Sequence, residues 1–273
     1  MVLKLIKYDL RSMLKSFIPL WAAVLVLSII NGAFAHSPAA LVSGFGEVIF
    51  GLSIFMYIIL IIAINVIGIV LVIQRFYNGL LKDEGYLMFT LPAAPWQHVV
   101  SKGIAGLIVV TVNALISILS IFILAAFGND YVEWSTLLRE FSLVMTEAGL
   151  NGAAFIILSV LVMLISTMAS IYQIYASMAL GHLANKHRVG WSVAAYMGTS
   201  FAISIISAVC GLVAEKFGAI NWFEGLFERA AETRNLSEVS FAFINSGIII
   251  SLIQLAAFYI ITERILAKKL NLE

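Results

Sequence analysis

Residues 74–102 read QRFYNGLLKDEGYLMFTLPAAPWQHVVSK and lie between two long apolar runs. This polar stretch separates the runs into two different spans, and it contains two of the chain's four prolines, Pro92 and Pro95. A turn that only joins two membrane helices needs neither this length nor this charge. We therefore predict that residues 74–98 form a surface on which a component outside the membrane acts.

The composition predicts a membrane protein. Hydrophobic residues make up 62% of the chain and charged residues 11%, with a mean hydropathy of +1.04. A soluble domain of this length cannot bury so much apolar surface in a core of its own. A helix needs about 20 apolar residues to cross the hydrocarbon layer of a bilayer. Several uncharged runs reach that length, so we predict an all-α polytopic protein in contact with the lipid bilayer.

The apolar runs predict six membrane-spanning helices in one membrane domain, residues 1–273. The predicted spans cover residues 18–35, 48–73, 99–127, 149–180, 191–214 and 241–261. Pro19 then falls in the opening turn of the first span, where a missing N–H costs no hydrogen bond.

The first 17 residues predict an amphipathic helix at the membrane interface. One helical stripe is apolar and consists of Val2, Leu3, Ile6, Leu10, Met13 and Phe17. A second stripe is cationic and consists of Lys4, Lys7, Arg11 and Lys15. Such a helix lies in the headgroup layer with its cations toward the lipid phosphates. In the alternative interpretation, the cations only set the orientation of the chain.

Two longer connections, residues 128–148 and 215–240, are predicted on the side of the membrane opposite to the amino terminus and residues 74–102. In residues 215–240, aromatic residues such as Trp222 and Phe223 stand beside acids such as Glu224. This mixture predicts short amphipathic helices that dip into the interface, or alternatively a solvated cap.

The distribution of Lys and Arg predicts sidedness. Twelve of them lie in the amino terminus, residues 74–102, the connection near residue 186 and the tail, whereas four lie in the two longer connections. Cytoplasmic loops carry the excess of Lys and Arg. We therefore expect both termini on the cytoplasmic side of the plasma membrane and residues 215–240 outside.

The sequence contains no recognisable catalytic motif. It has neither the phosphate-binding pattern G-x-x-x-x-G-K-[ST] nor the metalloprotease pattern H-E-x-x-H. His182 and His187 lie close together in the sequence but lack a third metal ligand of a suitable type. We predict that the chain is not an enzyme and binds no metal or cofactor itself. The net charge of +1 by itself indicates nothing about acidic or nucleic-acid partners, and we predict no nucleic-acid partner.

Neutral polar residues are the main polar groups predicted within the spans. No Asp, Glu, Lys or Arg lies well inside a predicted span, which argues against a carrier that couples transport to protons or sodium through buried carboxylates. The candidates are Asn65, Asn113, Gln173 and Gln254. Such residues form hydrogen bonds between helices, or they line a substrate path.

The order of Gly and Pro in residues 74–102 predicts a short helix across the cytoplasmic mouth. Residues 75–81 can continue the second span, and Gly85 permits a sharp turn beside Asp83 and Glu84. Pro92 ends the next short apolar segment, and Pro95 can occupy the first turn of the third span.

Residues 82–102, KDEGYLMFTLPAAPWQHVVSK, resemble the segment between the second and third spans of type-2 ATP-binding-cassette (ABC) transporter permeases. In that family the segment is a coupling helix that sits on the ATPase subunit. The positions that match the family pattern are Glu84, Gly85, Leu91, Pro92, Ser101 and Lys102. The amphipathic amino terminus and the layout of six spans are also similar to that family.

The resemblance implies a permease subunit that pairs with a second permease copy, identical or similar, and binds two separate ATPase subunits. ATP and Mg would be held by those subunits, and the substrate would be hydrophobic or amphipathic and exported. The implied ATPase contacts are Lys82, Asp83, Glu84, Gly85, Tyr86, Leu87, Phe89 and Pro92. Asp83 and Glu84 would make polar contacts, whereas Tyr86, Leu87 and Phe89 would form an apolar seat.

Other functional classes stay open at this point. One is a secondary carrier or channel that uses no ATPase, and it predicts gradient-driven activity from this chain alone. The other is a membrane scaffold or immunity-type protein, or a membrane enzyme whose site the sequence does not reveal.

Overall fold

The structure is a computed structural model that describes residues 2–35, 44–81, 94–128, 134–147, 152–184, 186–233 and 237–268. Every regular element in these ranges is helical. The α-helices are α1 (Val2–Ala35), α2 (Gly44–Phe76), α3 (Pro95–Gly128), α4 (Trp134–Glu147), α5 (Gly152–His182), α6 (Arg188–Lys216), α7 (Ala219–Thr233) and α8 (Ser237–Lys268). A π-helix, Tyr77–Leu81, follows α2 directly.

Six of these helices are long and apolar enough to cross a membrane, which confirms the predicted all-α, six-span class. They are α1, α2 with the π-helix, α3, α5, α6 and α8, with lengths from 29 to 38 residues. Each exceeds the roughly 20 residues that a helical span requires.

The described chain forms two compact units. The first consists of Met1–Phe76 and Val100–Leu137. Its core contains Val24 of α1 and Tyr57 and Ile64 of α2, all buried. Gly32 of α1 marks a close approach of two helices, because a Cβ atom there would lie 2.6 Å from Cβ of Phe127.

The amino-terminal segment and the first span form one continuous helix, α1, so the prediction that Pro19 lies in an opening helical turn is wrong. Pro19 lies in the helix interior, where it removes one backbone hydrogen bond without ending the helix. The predicted cationic face is confirmed, since Lys4, Lys7, Arg11 and Lys15 are all exposed.

The predicted apolar face of α1 needs one correction. The buried residues are Ile6, Asp9, Met13 and Phe17, whereas Leu3 is 81% exposed. These buried positions are three or four residues apart, which places them on one face of a 3.6-residue turn. Leu3 falls at the edge nearest the cations, and an acidic residue, Asp9, lies on the buried face instead.

The second unit consists of Tyr77–Val99 and Leu138–Glu273. In it, α5 packs against α6 and α8, and α7 packs against the same two helices. Residues 215–240 contain α7, as the prediction of an amphipathic helix requires. Leu226 and Ala230 of α7 are buried against Val239 of α8. Gly218 has φ 74°, a left-handed conformation that favours glycine and lets the chain turn between α6 and α7.

Helix α4, Trp134–Glu147, was not predicted within residues 128–148. This segment has no long apolar run, and its apolar residues are too few to mark a span. Leu138 and Phe141 are exposed, at 68% and 53%, whereas Met145 on the same helix is 8% exposed.

Candidate functional site

The predicted coupling segment, residues 74–98, is described only at its two ends. The implied ATPase contacts, Lys82, Asp83, Glu84, Gly85, Tyr86, Leu87, Phe89 and Pro92, lie outside the described residues. The geometry of the candidate site is therefore the geometry of its two attachment points.

The amino-terminal attachment is the π-helix. Helical structure continues from α2 through Leu81 as predicted, but Tyr77–Leu81 has π-helical hydrogen bonding. Such turns are rare and occur frequently at functional sites. Leu80 is 0% exposed and Leu81 is 2% exposed. The last described residues at the amino-terminal end of the coupling segment are therefore packed inside the protein.

The π-helix contacts the junction between α5 and α6. The Tyr77 ring lies edge-on to the His182 ring, with 6.0 Å between centroids and 79° between planes. His182 ends α5, and its Nε2 atom accepts a hydrogen bond of 3.1 Å from Nη1 of Arg188, at the start of α6. Three elements thus meet at one buried imidazole.

The α5–α6 junction is tight for two backbone reasons. Gly181 lies against Ser192 so closely that an added Cβ atom would collide with Ser192 backbone atoms. His187, immediately before α6, has φ 54° and ψ 44°, a left-handed conformation that is uncommon for residues other than glycine. His187 is therefore a turn residue, and His182 is a contact residue of this junction.

The carboxyl-terminal attachment is the start of α3. The helix begins at Pro95, as predicted, and the following turn is packed inward: His98 is 1% exposed and Val99 is 0% exposed. The Tyr172 hydroxyl donates a hydrogen bond of 3.4 Å to the Val99 carbonyl oxygen. Within the second unit, the beginning of α3 is thereby held by α5.

An ion pair lies further along α3, in the first unit. Lys102 Nζ lies 3.7 Å from Asp9 Oδ2, and the two side chains are 3% and 11% exposed. Burying a charged group is costly unless an opposite charge accompanies it. Asp9 therefore provides α3 with a charged partner on α1.

Asn65 and Asn113, two of the predicted polar residues, belong to one network in the first unit. Asn113 is 1% exposed. Its Oδ1 atom accepts a hydrogen bond of 2.7 Å from Nε1 of Trp21, and its Nδ2 atom donates a hydrogen bond of 3.1 Å to the Ile64 carbonyl oxygen. Nδ2 of Asn65 donates a hydrogen bond of 3.2 Å to the Ser117 hydroxyl. Asn113 therefore joins α3 to both α1 and α2, which is the helix-to-helix use of such residues.

Gln173 and Gln254, the other two, meet in the second unit. Gln173 is 7% exposed. Its Nε2 atom donates a hydrogen bond of 2.9 Å to the Ser200 hydroxyl and one of 3.5 Å to the Thr199 hydroxyl. Nε2 of Gln254 donates a hydrogen bond of 3.4 Å to Oε1 of Gln173. Gln173 thus joins α5 to α6 and α8. Two of these three distances are long, so this network holds its helices less firmly than the one around Asn113.

The sequence did not predict the contacts at the site, and two of these contacts differ in whether the sequence pattern signals them. The first is the role of Asp9, which the pattern does signal, because Asp9 stands three residues after Ile6 and four before Met13 on the apolar face. The second is the hydrogen bond between His182 and Arg188, which depends on how the α5–α6 turn folds and has no local signal.

Comparisons with protein-family models, with curated proteins and with solved structures found no match to this chain.

Proposed function

We propose that this chain is the membrane-spanning permease subunit of an ABC transporter whose ATP hydrolysis takes place on a separate subunit. The observation that carries the proposal is residues 74–102, a polar, Pro-bounded segment between two apolar helices that resembles the coupling segment of type-2 permeases. The six-helix architecture is compatible with that class of protein.

The attachment points support a mechanical role for this segment. On one side, Leu80 and Leu81 are buried and the π-helix contacts His182. On the other side, the buried residues of early α3 follow within a turn of Pro95. A segment with firmly packed ends transmits an applied movement to its helices, whereas a segment with loose ends would absorb the movement.

In the proposed mechanism, ATP binding draws two ATPase subunits together beneath a pair of permease chains. The ATPase pulls on Lys82–Pro92, where Asp83 and Glu84 make polar contacts and Tyr86, Leu87 and Phe89 provide the apolar seat. The movement passes into α3 and α1 and opens a path for the substrate.

The proposed substrate is hydrophobic or amphipathic, and the proposed direction is export. The polar groups that the six helices bury near mid-span, such as Asn113 and Gln173, are neutral, and neutral amides do not offer a charged counterpart to an ionic solute. The chain would act at the plasma membrane with both termini cytoplasmic.

The proposal is tested by purifying the tagged chain from its native host in a mild detergent and identifying co-purified proteins by mass spectrometry. We expect an ATPase with a phosphate-binding loop, and we expect Glu84→Ala/Phe89→Ala to lose it. The matched control is Glu215→Ala/Phe217→Ala, an acid–aromatic pair in which Phe217 is 84% exposed. This control should keep the ATPase.

A different result would favour a different function. If the chain purifies alone and moves solute in liposomes under a gradient without ATP, the chain is a secondary carrier or channel. If it purifies alone and moves no solute, a scaffold or immunity-type role is favoured. Retention of the ATPase by Glu84→Ala/Phe89→Ala would contradict the assignment of the contact residues.

A further inference from the structure

Asp9 and Lys102 form a buried ion pair between α1 and α3. Their charged atoms lie 3.7 Å apart, and their side chains are 11% and 3% exposed. On α1, Asp9 is flanked by Ile6 and Met13, which are 9% and 3% exposed. The pair therefore lies within a packed apolar face and is largely shielded from solvent.

A buried pair of this kind resists separation. In water, the two charges of an ion pair are solvated individually and separate at little cost. Inside a protein, moving one partner away leaves an uncompensated charge in a medium of low dielectric constant. The exposed cations of α1, such as Lys7 and Lys15, have no comparable constraint.

The position of the pair connects two segments that the proposed function sets in motion. Lys102 lies seven residues after Pro95, the first residue of α3, and four residues after the end of the coupling segment at residue 98. Asp9 lies in the cationic, amino-terminal part of α1. A displacement of early α3 thus acts directly on the amino-terminal part of α1.

We propose that the Asp9–Lys102 pair is a positioning element that makes the amino-terminal part of α1 move together with α3 as one rigid body. This inference rests on the proposed function for the source of the movement. The rigid link itself is a property of the chain alone, and it can be measured without an ATPase.

The experiment is a distance measurement by pulsed electron paramagnetic resonance between spin labels at Leu3→Cys on α1 and Ile118→Cys on α3. Both positions are exposed, at 81% and 49%, and Cys210, also exposed, is replaced by Ser. Labelled chains are diluted with unlabelled chains so that only distances within one copy are recorded. The distribution is measured in lipid nanodiscs, first alone and then with the co-purified ATPase with and without ATP.

We expect a narrow distribution that ATP does not shift, both in the chain with its natural pair and in Asp9→Glu/Lys102→Arg, which keeps the charges. In Asp9→Asn/Lys102→Met we expect a distribution at least twice as broad, and a shift of several ångströms with ATP. Removing both charges together avoids leaving one of them unpaired. If this variant does not fold, Asp9→Asn/Lys102→Gln is measured in its place with the same two outcomes.

The control is Lys7→Met, which removes an exposed cation from the same helix and should leave the distribution unchanged. The inference is overturned if the distribution stays narrow without the pair, if Lys7→Met broadens it equally, or if ATP shifts it in the chain with its natural pair. Failure to recover any ATPase would overturn the proposed function instead, while the comparison without nucleotide would still decide whether the pair is a rigid link.

Discussion

At the residue scale, each compact unit contains a buried amide that forms hydrogen bonds with two neighbouring helices. Asn113 joins α3 to α1 and α2 in the first unit. Gln173 joins α5 to α6 and α8 in the second. The sequence identified both residues as polar groups within spans, because an amide in an apolar run is conspicuous. It could not identify their partners, since Trp21 is 92 residues from Asn113 and only folding brings them together.

The close contact between Gly68 and Asn113 predicts that one added methyl group lowers the stability of the protein. Gly68 lies directly against the Asn113 side-chain nitrogen, so Gly68→Ala must displace that amide from its partners. Overpacking of this kind costs about 1–3 kcal/mol, and we expect a lower melting temperature in detergent. Gly51→Ala on the same helix meets open space and should be neutral or slightly stabilising. Equal melting temperatures for the two variants would contradict the packing described.

The hydrogen bond from Trp21 to Asn113 can be measured by a double-mutant cycle. We expect Trp21→Phe and Asn113→Leu to be less destabilising together than the sum of their separate effects. The coupling energy should be about 0.6 kcal/mol, the mean found for hydrogen bonds between membrane helices, and at most about 1.7 kcal/mol. Reversible unfolding in mixed micelles provides the free energies. Additive effects would mean that the bond of 2.7 Å contributes nothing to stability.

At the element scale, the sequence predicted the apolar helices well and their ends less well. Long uncharged runs determine the spans by length alone, so all six were found. The placement of Pro19 in an opening turn was wrong, because proline is common in the first turn of a helix but here lies within α1. The π-helix Tyr77–Leu81 was missed because the sequence indicates only that a helix can continue through residues 75–81, and not which hydrogen-bond register the helix takes. Neither feature leaves a periodic signal.

Helix α7 should detach when its small apolar contact is weakened. Leu226 is 5% exposed and packs with Ala230 against Val239. Leu226→Ala removes most of that contact, and a buried Leu-to-Ala change costs about 2–5 kcal/mol, which is more than so short a helix can lose. We expect faster amide hydrogen exchange in residues 219–233 and unchanged exchange in α5. In the control Glu228→Ala, at an exposed position on α7, the amides of residues 219–233 should exchange at the original rate.

At the scale of the whole molecule, six helices of suitable length leave two orientations in the membrane. The sequence distinguishes them by charge: twelve Lys and Arg residues lie on one predicted side and four on the other. Helix packing carries no information on this choice, because packing is the same whichever side faces the cytoplasm. The orientation decides whether residues 74–98 can meet an ATPase at all.

Labelling of single cysteines in intact cells tests the orientation. In a Cys210→Ser background, Lys4→Cys and Glu228→Cys place one thiol at an exposed position on each predicted side. A maleimide that cannot cross the membrane should label Glu228→Cys at once and Lys4→Cys only after the cells are permeabilised, because segments rich in Lys and Arg are retained on the cytoplasmic side. The opposite pattern would place the coupling segment outside the cell. No cytoplasmic ATPase could then reach Glu84, and the permease proposal would fail with the orientation.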